Sequence, residues 1–303
     1  MTRRALTVSA FVAVIAVGAV LVFWPYGRTE KTGPQPRTIP VVATIYPWGF
    51  VAQRVGGVHV DVTVVTPPGA EPHDYEPTPH DIVVSQGAHL FLLNGYGMDA
   101  WAEKIEPDIA KAGAETITFA PQGPRIGTGQ DPHVWLDPVF MQKAAGLVRD
   151  ALIRIDPSHA ADYRANADAL ISDLNALDSE YANGLKNCSL NEVVVSHDAF
   201  RYLATRYGFT TVAVTGLTPD QEPSPKDLGA IADLVRTKHI GTIFTETLVS
   251  PKISQTLADE TGAKTLVLNP IEGLTSDDVG QGKTYLTIMK ENLANLRTAL
   301  QCP

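Results

Sequence analysis

PVVATI (residues 40–45), VHVDVTVV (residues 58–65), AHLFLLNG (residues 88–95) and AETITFA (residues 114–120) decide the fold class. Each is a short run rich in β-formers, and the second alternates with the period of two expected of a strand with one covered face. Helical patterns fill the intervals. Thr78-Pro79-His80-Asp81 carries a start signal: a capping threonine, proline at the first helical position and an acid three residues after the cap. Strand and helix in alternation build βαβ units, and these imply a parallel sheet. A long helical region then runs from Pro138 to about Lys186, broken once at Asp156-Pro157, where aspartate caps and proline restarts the helix. Its second piece, residues 158–186, would be about 40 Å long at roughly 1.5 Å per residue, enough to bridge two lobes. The alternation resumes with EVVVS (192–196), a helix from Asp198, FTTVAVT (209–215), a second capped start at Ser224-Pro225-Lys226-Asp227, GTIFTE (241–246), TLVLNP (265–270) and a final helix from about Gln281 to Leu300. The expected architecture is α/β, with lobes at 39–157 and 188–303 joined by a linking helix at 158–187.

Outside that frame, residues 5–24 form a run without charge, preceded by Arg3 and Arg4 and closed by Pro25. About 20 apolar residues suffice to span a bilayer, so residues 1–26 read as an N-terminal membrane anchor or a signal peptide, with the rest of the chain outside the cytoplasm. Residues 27–38 are polar, proline-bearing and aperiodic, as a linker is. The folded part has ordinary globular composition, 44% hydrophobic and 19% charged over the 303 residues. The net charge of −9 argues against a nucleic-acid partner and is compatible with a cation ligand. Cys188 and Cys302 are the only cysteines. In an exported chain they are expected to pair as one disulfide, the alternative being two buried free thiols.

Three histidines sit where a regular element meets polar turn chemistry: His73 in PGAEPHDYEPTP, His133 in GQDPHVWLDP and His197 in VVVSHDAF. Imidazoles held on strand ends and stiff loops can converge on a metal ion, and Pro67, Pro68, Pro72 and Pro77 stiffen the loop around His73. In open α/β sheets ligands collect at the carboxyl ends of strands, where His197, Glu246 and Asn269 all lie in the second lobe. Taken singly, a histidine in a proline-rich loop is most often a solvated turn residue, and His197 could cap or pack a helix. Asp137 is most simply a helix cap. Glu246 either orients an imidazole or caps backbone.

The ordered set ATIYP, PGAEPHDYEPTP, DPHVWLDP, VVVSHDAFRYLATRYGF, QEPSPKDL and IFTETLVSPK resembles the zinc/manganese-binding solute-binding proteins of bacterial ABC transporters, the cluster A-I family. The resemblance covers the chain from about Ile39 to its C-terminus. It implies two Rossmann-like lobes joined by a single rigid backbone helix, with a metal buried between them. His73, His133 and His197 fall on three of the family's ligand positions. The fourth is usually an aspartate after the last strand, and here Asn269 stands there, so the fourth donor is Asn269, a water or a nearby carboxylate. Three imidazoles favour Zn2+, with Mn2+ as the alternative. The family's lipidated cysteine is absent, which leaves tethering to the apolar helix.

The expected function is extracytoplasmic capture of a divalent transition metal and delivery to the membrane permease of an ABC transporter, by a monomer that is not an enzyme. A different class, an extracellular zinc hydrolase, shares the three-histidine pattern. Against it, the chain has no HExxH and no GxSxG.

Overall fold

The alternation of β-rich and helical runs becomes two parallel four-stranded sheets in a computed structural model that describes residues 38–126 and 129–303. The first half contains β1 (Ile39–Ala43), α1 (Tyr46–Gly56), β2 (Val60–Val64), α2 (Pro79–Gln86), β3 (Leu90–Leu93), α3 (Ala100–Lys111) and β4 (Glu115–Thr118). Its sheet has the order β2-β1-β3-β4, with Val41 opposite both Val62 and Leu90. β3 is buried along its whole length, as a central parallel strand covered on both faces must be. Edge strand β2 keeps only the alternation, with Asp61 and Thr63 turned outward. α1 lies flush on that edge because position 49 is glycine: a Cβ there would stand 2.3 Å from a Val64 methyl.

Two long helices come next, α4 (Pro138–Ile155) and α5 (Ala160–Gly184), and then the second half: β5 (Glu192–Val195), α6 (Arg201–Tyr207), β6 (Thr210–Ala213), α7 (Pro225–Thr237), β7 (Thr242–Thr245), α8 (Lys252–Thr261), β8 (Lys264–Val267), α9 (Ser276–Gly280) and α10 (Tyr285–Ala299). The second sheet repeats the order of the first, β6-β5-β7-β8. In each sheet the chain crosses in opposite directions on the two sides of its first strand, so a crevice opens at the carboxyl ends of β1 and β3 and again at those of β5 and β7.

α5 begins two residues later than the sequence suggests, because residues 157–159 are taken up by a turn of 3₁₀ helix. Tyr163, Ala167, Leu170, Leu174, Leu177 and Tyr181 form its buried stripe, spaced alternately by four and three residues. The helix touches both halves: Asn166 Nδ2 donates to the Val55 carbonyl at one end, and the Tyr181 hydroxyl to the Met289 carbonyl at the other. One continuous apolar core takes in Val41 and Leu92 of the first sheet and Val195 and Phe244 of the second.

The capping signals expected at Thr78 and Ser224 are used, whereas Asp156 caps no helix N–H and its carboxylate instead meets the side chains of Ser158, His159 and Tyr163. Thr78 and Asp81 form a reciprocal capping box at α2, and Ser224 Oγ accepts the Asp227 N–H at α7. The last helix starts at Tyr285, capped by Thr284, and α6 starts at Arg201 after a turn through residues 198–200. Cys188 and Cys302 are bonded, tying the entrance of the second half to the C-terminal tail. The apolar run of residues 5–24 and most of the linker lie outside the described residues. Among the described residues no helix is long and apolar enough to cross a membrane.

Candidate metal centre

Four strand-end loops deliver the site. His73 lies after β2 in a short 3₁₀ turn, its N–H donating to Glu71 Oε1. His133 stands at the end of the loop after β4, His197 directly after β5, and Glu272 in the loop after β8. One donor atom from each lies within 4.8 Å of all the others. The His133 Nε2 is 3.3 Å from the Nε2 of His73 and 3.3 Å from that of His197. Glu272 Oε1 lies 3.2 Å from the Nε2 atoms of His133 and His197 and 3.5 Å from that of His73. Tetrahedral zinc with bonds of about 2.0–2.1 Å requires donor–donor edges of about 3.3–3.4 Å, so the cage has the size of one ion.

Its polar groups lack other uses. Glu272 is 1% exposed, and neither of its carboxyl oxygens has a hydrogen-bond partner. A buried carboxylate without donors is strongly destabilising unless a cation sits beside it. The imidazoles are turned the right way by carboxylates behind them. His133 Nδ1 is 2.8 Å from Asp131 Oδ1, and His197 Nδ1 is 2.8 Å from both oxygens of Glu246. An Nδ1–H donated to a carboxylate leaves the Nε2 lone pair facing the cage and raises its basicity.

The charges couple accordingly. Burial disfavours a charged His197, yet Glu272 and Glu246 outweigh it and hold the imidazole well above its usual range. Burial likewise opposes charge on His133, and Asp131 and Glu272 raise it nonetheless. Burial would keep Glu272 neutral, but His197 and the other two imidazoles hold its carboxyl well below the usual carboxylate range. Glu71 is the reverse case: burial, then the charge of Glu272, pushes it up to about 9.

His73, His133 and His197 thus meet, as the sequence leads one to expect. Asn269 does not join them; of the options left open for the fourth position, it is a nearby carboxylate that lies beside the three imidazoles. Asn269 Oδ1 accepts the Ile271 N–H at 2.8 Å, and the Asn269 main-chain N–H donates to Asn292 Oδ1. The carboxylate that closes the cage is Glu272, three residues further on. The chain reaches it through Ile271, fully buried, with φ of 58°. A β-branched residue in the left-handed region is a true outlier costing about 1–3 kcal/mol, held only where its surroundings over-determine it. Sequence reasoning did not name Glu272; the available signal was the lone acid of NPIEGL, in the loop that follows the apolar run TLVL.

The halves are stitched around the site. Trp135 Nε1 donates to the Pro270 carbonyl at 2.7 Å, the Gly69 N–H to the Leu274 carbonyl at 2.8 Å, and the Tyr202 hydroxyl to the Asp131 carbonyl at 3.2 Å.

The chain is similar to known proteins over most of its length. A family model described as zinc-uptake complex component A periplasmic (ZnuA) matches residues 41–299. The high-affinity zinc uptake system protein ZnuA of Bacillus subtilis (strain 168) is 34% identical over 292 residues, 90% of each chain. The zinc-binding lipoprotein AdcA of Streptococcus pneumoniae serotype 4 is 34% identical over 274 residues; the match takes in 85% of this chain and 55% of AdcA, so the chain spans about half of that longer relative. The crystal structure of the Zn(II)-bound ZnuA-like domain of Streptococcus pneumoniae AdcA superposes with a TM-score of 0.78 at 35% identity, covering 87% of this chain and 99% of that one.

Proposed function

Because the chain belongs to the zinc-uptake complex component A periplasmic family, we propose that it captures Zn2+ outside the cytoplasm and hands it to an ABC transporter permease, holding the ion with His73, His133, His197 and Glu272. Membership of an uptake family makes the chain a carrier of its ion rather than an enzyme. The observation that carries the ligand assignment is the buried Glu272 carboxylate, without a hydrogen-bond partner and within 3.2–3.5 Å of three imidazole nitrogens.

These residues bind by offering three neutral nitrogens and one anionic oxygen at tetrahedral spacing. Zn2+ suits such a set, and Mn2+, lower in the affinity order for mixed nitrogen and oxygen donors, should bind more weakly. His133, His197 and Glu272 are buried to 1% exposure or less, so the ion enters and leaves only when the loops part. Two donors come from loops of the first sheet and two from loops of the second, so the ion bonds the halves together. A permease that binds the parted arrangement better would drive release, since a partner shifts an equilibrium only by its differential affinity. The carrier acts as a single copy, and the apolar run of residues 5–24 supports a tether to the membrane surface.

Elemental analysis and zinc competition titration of the isolated chain test this reading. One tightly held zinc is expected, bound much more weakly by the His133→Ala and Glu272→Ala chains. Wild-type affinity in the Glu272→Ala chain would remove the carboxylate from the site.

A further inference from the structure

We propose that Asn269 is a positioning residue for the metal centre: by accepting the Ile271 N–H it keeps the Ile271 backbone left-handed, and so turns Glu272 inward as the fourth donor. The inference rests on the reading of His73, His133, His197 and Glu272 as the metal cage.

Leu268 still continues the ladder, its N–H donating to the Thr245 carbonyl, and the chain then has three residues in which to redirect itself from the sheet to the cage, each held by a different side chain. At position 269 the main chain is clamped from α10: Asn292 Oδ1 accepts the Asn269 N–H at 2.9 Å, and Asn292 Nδ2 donates to the Asn269 carbonyl at 2.7 Å. At position 270 proline fixes one dihedral angle, and its carbonyl accepts the Trp135 indole N–H at 2.7 Å. At position 271 the holding group is the Asn269 side chain, whose Oδ1 accepts the Ile271 N–H at 2.8 Å in an Asx turn.

That last bond falls on the one residue of the turn that needs it. Ile271 has φ of 58°, a region that β-branched side chains avoid and glycine enters freely. Left unbraced, Ile271 relaxes toward extended or right-handed backbone, and the peptide that starts Glu272 rotates with it. Because Asn292 independently fixes the main chain of Asn269, the Asn269 side chain acts on Ile271 and Glu272 rather than on its own place. An asparagine at this position therefore has a use that needs no contact with the ion. Serine, whose hydroxyl makes the same turn more weakly, would retain part of it.

The full chain is tested by zinc competition titration and by the visible spectrum of the Co2+-loaded form, which separates four-coordinate from water-expanded centres. Asn269→Ala is expected to weaken zinc binding by about tenfold or more, the effect of losing an outer partner of a metal ligand, and to shift the Co2+ spectrum toward that of Glu272→Ala. Asn269→Ser should recover most of the affinity. Adding Asn269→Ala to Glu272→Ala should cost no more than about twofold, because a residue that acts through Glu272 has nothing left to act on. Ile271→Gly in the Asn269→Ala chain is the second arm, since glycine holds the left-handed turn unaided; part of the affinity should return. An unchanged Co2+ spectrum in Asn269→Ala, equal losses with and without Glu272, or no recovery with either serine or glycine would overturn the proposal. Zinc binding that survives Glu272→Ala intact would instead overturn the cage, and the positioning role with it.

Discussion

Glu246 sets both of its carboxyl oxygens 2.8 Å from Nδ1 of His197, and Oε1 also accepts the His197 N–H at 3.0 Å. One carboxylate at the end of β7 thus fixes the ring, its tautomer and the backbone of a residue at the end of β5, the strand beside it. Glu246→Leu should weaken zinc binding by about 10–100-fold, as the loss of a carboxylate behind a histidine ligand does. Glu246→Gln, which keeps an acceptor and loses the charge, should fall between the leucine variant and the wild type in a competition titration. Wild-type affinity in the leucine variant would separate Glu246 from the metal centre.

The raised pKa values of His197 and Glu71 give metal-free stability and zinc affinity opposite pH dependences. His197 has a folded pKa raised well above 6.5 and Glu71 one raised from 4.5 to about 9, so above pH 6.5 both hold protons in the folded chain that the unfolded chain has lost. The His197 contribution to metal-free stability is therefore complete below 6.5 and is lost as pH rises through the folded value. Glu71 acts in the same direction, and Glu272, depressed below 4.5, is ionised in both states and adds nothing there. Zinc requires neutral imidazoles and displaces those protons, so its affinity rises over the same interval. The Tm of stripped protein should fall as pH rises from about 6.5 to about 9, while the gap between loaded and stripped Tm widens. A gap independent of pH would mean that no imidazole proton is exchanged for the ion.

Much of this site is legible in the sequence, and the limits of that reading are geometric. His73, His133 and His197 stand out because proline-stiffened loops and a strand end bracket them, and Glu246 because it ends a strand in the same half as the one that leads to His197. The sequence leaves Glu246 open between orienting an imidazole and capping backbone, and the structure has it do both. Glu272, the carboxylate that meets the three imidazoles, lies in the same loop as Asn269 but three residues beyond it, and the direction of its side chain depends on Ile271 being left-handed. No residue type announces that at an isoleucine. Asp131 escapes notice for a similar reason: in Asp131-Pro132-His133 it reads as turn chemistry, and only the fold shows its carboxylate reaching back to His133 Nδ1. The two sheets, by contrast, emerge from patterning alone, since the buried runs LFLL and EVVV and the capping boxes agree with one topology.

The bond between Cys188 and Cys302 closes a loop with a sequence separation of 114. Cross-linking a loop of this size constrains the unfolded chain, and its removal from a secreted fold costs about 2–5 kcal/mol. The paired Cys188→Ser, Cys302→Ser variant should lose that much unfolding free energy in a denaturant titration, with zinc affinity unchanged, because the bond joins the tail to the entrance of β5 and the cage lies beyond the strand's other end. A loss of zinc affinity comparable to that of Glu246→Leu would tie the tail to the metal loops.

The indole of Trp135 spans the seam two residues after His133, donating to the carbonyl of Pro270 two residues before Glu272, while the carbonyl of Trp135 accepts the Tyr285 hydroxyl at 2.7 Å. The loops of two of the four donors are therefore locked to each other independently of the ion. Trp135→Phe keeps a ring against Trp48, which the indole now meets edge-on at 6.2 Å, and removes only the donor. The Pro270 carbonyl is then left buried without its partner, at about 1–3 kcal/mol. If the seam opens for release, that loss falls on the closed arrangement. Zinc dissociation into excess chelator, monitored by stopped flow, should quicken by about fivefold or more while association changes little, since such losses appear mainly in the off-rate. Equal changes in both rates, or none, would show that the ion leaves without parting Trp135 from Pro270.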